Sequence, residues 1–194
     1  MNQNMNVRKS TKKITVIGIF TGITAILVFT PLGMVPLPFI SLTICQIPAI
    51  LASMIYGPVV GALEGLVFGL LSLLRALIWR QGVLDPLFIN PLVSVLPRVL
   101  MGFLTYYVYK GASKLNEYVG MVVGACAGSI INTVGCMGML YLLYARELVA
   151  NTDFAGTAEA FILLIISTSG LAEMIFCAIV IIPIFKALKK VFQL

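Results

Sequence analysis

Residues 57–78 read GPVVGALEGLVFGLLSLLRALI, a stretch with two charges, Glu64 and Arg75, and glycines four apart at 57, 61, 65 and 69. A helix over 58–78 rises 1.5 Å per residue and so extends roughly 30 Å, the thickness of the hydrocarbon core of a bilayer. Gly57-Pro58 is a turn signal that separates this stretch from the apolar run before it, since one helix through both would far exceed a single bilayer. Further apolar runs of spanning length lie at 14–30, 39–56, 92–110, 119–145 and 160–185. Together they predict an all-α integral membrane protein with six transmembrane helices. Residues 14–190 form one compact bundle in this reading, behind a basic segment at 1–13. Asn90-Pro91 has the pattern of an N-cap followed by the first residue of the fourth helix.

Composition supports the same reading. Of the 194 residues, 60% are hydrophobic and 10% charged, whereas a soluble domain carries roughly 25% charged residues. So few charges cannot coat a water-soluble fold. The absence of histidine removes Ser-His-Asp and Cys-His triads and His-ligated zinc. Cys45, Cys126, Cys136 and Cys177 all sit in apolar runs without CxxC spacing, which predicts inert buried thiols rather than a disulfide framework or a metal site. Lys and Arg exceed Asp and Glu by 13 to 7, a net charge of +6. The basic residues form short clusters between apolar runs, not the stripe that nucleic acid requires, so the expected partner is the lipid bilayer. Arg8, Lys9, Lys12, Lys13, Lys110, Lys114, Lys186, Lys189 and Lys190 fall on one side of the six-span map, and Arg80 and Arg146 on the other. The positive-inside rule then puts both termini in the cytoplasm and the three longer connections, at 30–38, 79–91 and 146–159, outside.

Glu64, Arg75, Arg98 and Glu173 fall inside the spans, where a charged side chain costs at least about 2.5 kcal/mol on insertion scales. Two accounts of them stay open. In one, Arg75 snorkels outward while Arg98 pairs with Glu173 to hold helices together. In the other, Arg75 and Arg98 line an outward-facing substrate pocket, with Glu173 in the same site and Gln46, Asn90, Asn132 and Tyr141 as hydrogen-bonding neighbours. Guanidiniums are planar bidentate donors, so this pocket favours a carboxylate or phosphate. The chain contains no GxxxxGK[ST] phosphate loop, and its residues offer no protease dyad, metal site or cofactor motif. Active transport would draw its energy from elsewhere. Gly18 and Gly22, like the series at 57–69 and at 120, 124 and 128, make a smooth helix face that another backbone can approach. Spacing leaves open whether that backbone belongs to this chain.

The proline-rich first connection TPLGMVPLP at 30–38, the run TICQIP at 43–48, Tyr56-Gly57-Pro58 with its glycines, and Leu96-Pro97-Arg98 followed by Gly102 resemble the substrate-specific S component of energy-coupling factor (ECF) vitamin transporters. The resemblance spans most of the chain. It implies a multi-pass subunit of the bacterial plasma membrane that binds one micronutrient from outside with high affinity. Such subunits dock on a membrane coupling protein with two ATPases, and they do so through small residues of the first helix, often Ala-x-x-x-Ala; the matching positions here are Gly18 and Gly22. The ligand site lies toward the outer side, under the first connection. The two arginines favour an acid, pantothenate first and folate second. Competing readings are an integral membrane enzyme acting on lipid headgroups and a structural assembly partner.

Overall fold

The computed structural model describes residues 2–36, 41–79, 85–150 and 157–192. Helix α1, Asn2–Phe29, runs without a break from the basic segment through the first apolar run. A 3-10 turn at Pro31–Gly33 leads into β1, Met34–Pro36, which pairs antiparallel with β2, Ser41–Thr43, so that Met34 faces Thr43. Helix α2, Ile47–Tyr56, and helix α3, Pro58–Ile78, meet at Gly57, whose φ of 98° lies in the region only glycine adopts readily. After a 3-10 turn at Asp85–Ile89 come α4, Pro91–Ser94, and α5, Leu96–Ala112. Helix α6, Glu117–Ala150, is kinked at Tyr144. Then α7, Ala158–Ile165, passes through a π-helical turn at Ile166–Gly170 into α8, Leu171–Phe192.

Among the described residues, four helical segments are long and apolar enough to cross a membrane: Pro58–Ile78, Pro91–Ala112, Glu117–Ala145 and Ala158–Lys190. Ile17–Phe29 and Ile47–Tyr56 are shorter apolar helices. The second predicted span therefore needs correction. Among the described residues of 39–56, only Ile47–Tyr56 are helical, a rise of about 15 Å and half a hydrocarbon core. Ser41–Thr43 is paired to β1 instead, and Pro48 sits in the first turn of α2, where its missing N–H costs nothing, so the helix starts there. Apart from this ribbon the described structure is helical. The fourth predicted helix begins as expected, with Asn90 Oδ1 accepting from the Leu92 N–H at 3.0 Å. It is interrupted at Val95, two residues before Pro97.

The glycine series explains how α3 packs. A Cβ on Gly61 would strike the Gly102 carbonyl of α5, one on Gly65 the Arg98 carbonyl, and one on Gly69 would lie 2.7 Å from the Val95 Cα. Here the two backbones touch, as small residues at every fourth position allow. Gly124 and Gly128 likewise admit Tyr109, Met54 and Ile50 from α5 and α2. The opposite face of α3 exposes Leu63, Leu66, Leu70, Leu74 and Leu77, an apolar stripe that suits lipid and would not suit water. Of the four free thiols, Cys45, Cys136 and Cys177 are buried and Cys126 is half-buried. Arg80 lies outside the described residues.

Candidate ligand-binding site

One face of α3 carries Phe68, Ser72, Arg75, Ala76 and Trp79, spaced three and four apart so that they line up. Together with Val28 of α1, Thr43 and Cys45 at the exit of β2, Phe88 before α4, and Arg98 of α5, they enclose a cavity of about 270 Å³. Arg75 and Arg98 thus share one cavity wall, and among the described residues that line it there is no carboxylate.

Arg98 is the more deeply held of the two, with 7% of its surface exposed. Its guanidinium carbon lies 4.6 Å from the centre of the Phe68 ring and 5.7 Å from that of Phe88. One terminal nitrogen donates to the Ser94 carbonyl, while the buried Nε–H has no partner among the described residues. Two aromatic rings orient this cation by attraction to their faces, but they cannot accept its in-plane hydrogens as a carboxylate does. A second cavity, about 310 Å³ between α1, α2 and α8, is lined, among the described residues, by apolar side chains such as Ile19, Ile23, Leu51 and Ile184. It offers nothing to orient an acid.

The remaining predicted site residues stand elsewhere. Gln46, fully buried, donates from Nε2 to Ser129 Oγ at 3.1 Å and Cys177 Sγ at 3.3 Å, linking α2 to α6 and α8. Asn90 donates to the Tyr144 hydroxyl at 3.0 Å besides capping α4. Asn132 accepts from Cys136 Sγ one turn on, at 3.9 Å. Tyr141 donates to Glu159 Oε1 at 2.7 Å, between α6 and α7. None of these four lines the cavity. Nor does Glu173, and it makes no ion pair with Arg98. Its Oε1 accepts from the Thr43 N–H at 3.0 Å and its Oε2 from Thr133 Oγ1 at 3.2 Å. In place of the predicted structural pair, Glu173 is held by these two hydrogen bonds from neutral donors. Glu64 is held in the same way, accepting from Thr21 Oγ1 at 3.1 Å and Thr24 Oγ1 at 2.8 Å of α1.

Sequence reasoning missed Thr43, Cys45, Phe68, Ser72 and Phe88. The α3 members had a signal, since Phe68, Ser72 and Arg75 recur at helical spacing on one face. Gly18 and Gly22 are exposed on α1, with nothing within 4 Å of where a Cβ would stand.

The family model described as "ECF transporter, substrate-specific component" matches residues 12–185, a range that includes the cavity and the exposed glycines of α1. The chain is also similar to the pantothenic acid transporter PanT of Lactococcus lactis subsp. cremoris (strain MG1363), with 30% identity over 192 residues covering 91% of this chain and 93% of that protein. With the family model covering most of its length, the chain, a multi-pass membrane protein, belongs to the substrate-specific components of ECF transporters.

Proposed function

We propose that this chain is the ligand-binding membrane subunit of an ECF importer and that its ligand is pantothenate, held by its carboxylate between Arg98 and Arg75. The observation that carries the reading is the buried Arg98, whose Nε–H lacks a partner among the described residues at the wall of a cavity that a second arginine shares. A buried cation with an unmet donor is costly, and a bound carboxylate relieves the cost. Pantothenate is a compact acyclic acid with hydroxyls and a branched apolar centre. Ser72 and Thr43 supply hydrogen-bonding groups for such a molecule, and Val28 and Ala76 apolar contact. Folate fits less well: it is longer, and its flat pterin needs a stacking face, while Phe68 and Phe88 are occupied by Arg98. The similarity to PanT supports the same choice.

The subunit works in the bacterial plasma membrane, with both termini cytoplasmic and with a coupling protein and two ATPases as the energising partners. Membership of a transporter family leaves the lipid-headgroup enzyme and the assembly-partner readings without support.

Calorimetric titration of detergent-purified protein tests the site. A charge-assisted hydrogen bond to a desolvated guanidinium is worth about 1.5–3 kcal/mol, so Arg98→Gln weakens pantothenate binding roughly 10- to 100-fold. The analogue with a neutral amide in place of the carboxylate loses far less. Equal losses for acid and amide in a well-folded variant remove Arg98 from the carboxylate site, and unchanged affinity removes it from the cavity.

A further inference from the structure

We propose that Glu173 is a positioning residue for the ligand cavity: it holds the Thr43–Cys45 wall in place by accepting the Thr43 backbone N–H, and it touches no ligand itself. The inference rests on the cavity being the ligand site.

A two-stranded ribbon leaves half its backbone groups unpaired along its edges, and within a low-dielectric bundle each of them needs an acceptor or donor. On one side, Thr43 is registered against Met34, the Ile44 N–H donates to the Gly33 carbonyl at 3.0 Å, and the Cys45 thiol reaches that same carbonyl at 3.4 Å. On the other side, the acceptor for Thr43 N–H comes from a carboxylate 130 residues further along the chain. That carboxylate is 7% exposed and is itself fixed by the Thr133 hydroxyl of α6. The same corner brings α8 close to α6. Gly170, the last residue of the π turn, lies where a Cβ would stand 3.3 Å from the Thr133 Cγ2. Thr43 and Cys45 line the cavity, and Cys45 is 2% exposed. Glu173 therefore ties one wall of the cavity to the contact between α6 and α8.

The required chemistry is an acceptor for Thr43 and a partner for Thr133, not a negative charge. A glutamine meets both needs, with its carbonyl oxygen accepting from Thr43 and its amide donating to the Thr133 hydroxyl. Wild type, Glu173→Ala and Glu173→Gln are compared in detergent, first without ligand, by the rate at which a water-soluble maleimide modifies Cys45, followed by peptide mass mapping. Pantothenate affinity is then measured on the same preparations. Glu173→Ala raises the Cys45 rate about 10-fold or more and weakens binding by a similar factor, and Glu173→Gln restores both to within about threefold of wild type.

Glu173→Gln behaving like Glu173→Ala overturns the proposal in favour of a role for the charge. Wild-type protection of Cys45 in Glu173→Ala overturns it as well. Should the alanine variant fail to fold, Thr133→Val is read instead: it frees one carboxylate oxygen and raises the Cys45 rate about threefold, and an unchanged rate overturns the proposal. A wild-type chain that binds no pantothenate while the Cys45 ordering holds overturns the ligand assignment and supports the anchored wall.

Discussion

Two helices of this protein carry small residues at the same four-residue spacing and use them in opposite ways. In α3, the Gly61, Gly65 and Gly69 row is closed by the backbone of α5 and of Val95 just before it, so near that even a methyl group has no room. In α1, the Gly18 and Gly22 row faces outward with open space above it. The inner side of α1 is a narrow stripe of Phe20, Thr24 and Val28, while Ile19, Ile23 and Ile26 are exposed. The periodicity marks a surface on which a backbone can come close; it does not say whose backbone. The α3 row is spent inside the bundle, whereas among the described residues nothing packs on the α1 row; we propose that it is the surface on which a partner helix docks.

Breaking the closed row has the largest expected effect. Gly65→Leu places a branched side chain where the Arg98 carbonyl stands and, by separating α3 from α5, also displaces the cavity wall that Arg75 and Arg98 share. Overpacking of a tight core costs about 1–3 kcal/mol and more where backbone must move. The expected outcome is loss of monodisperse protein on gel filtration or a sharply lowered unfolding temperature. A variant that folds and binds pantothenate like wild type means that the α3–α5 contact is not as close as described.

The next effect separates the two sides of α1. Thr24 is fully buried, and its hydroxyl donates to Glu64, which Thr21 also serves. Thr24→Val keeps the shape and removes the donor, leaving a buried carboxylate short of a partner at a cost of about 1–3 kcal/mol. Ile23→Val, equally conservative but on the exposed side, changes stability by less than about 0.5 kcal/mol. Thermal unfolding of the two variants side by side checks the ranking. Equal shifts would mean that α1 is held by apolar contact alone.

Much of the fold is legible in the sequence, whereas the contrast between the two glycine rows is not, and the parts that are not legible share a cause. Hydropathy marks α3 at 58–78 and the body of α5 and α6, because long apolar runs have few alternatives to a spanning helix. It misreads 39–56, where an apolar ribbon and an apolar half-length helix follow one another and length alone cannot divide them. Arg75 and Arg98 stand out since a charge inside a span demands a reason. Gln46, Asn132 and Tyr141 stand out as polar groups in apolar runs but serve links within or between helices. Glu173 was expected to meet a cation or the ligand, and its actual partners are a hydroxyl and a backbone N–H. A backbone donor carries no side-chain signature, so a sequence cannot announce it.

The smallest effect sharpens the comparison furthest, because it separates smallness from glycine itself. Gly22→Leu leaves stability and pantothenate affinity close to wild type, since no described residue lies within 4 Å of a Cβ there, yet it lowers uptake by about 10-fold or more by keeping another helix from closing on α1. Gly22→Ala adds only a methyl group. The same change in α3, Gly65→Ala, collides with the Arg98 carbonyl, whereas at position 22 the Cβ stands in free space. Alanine is also the better helix former by about 0.5–1 kcal/mol, so this variant is unfolded slightly less easily than wild type. Uptake in Gly22→Ala cells stays within about twofold of wild type if the docking helix needs a small residue and not a bare backbone. Uptake as low as in Gly22→Leu would place the partner's backbone as close to Gly22 as α5 is to Gly65. Loss of binding in purified Gly22→Leu would instead make the α1 row an internal contact, and the difference between the two helices would disappear.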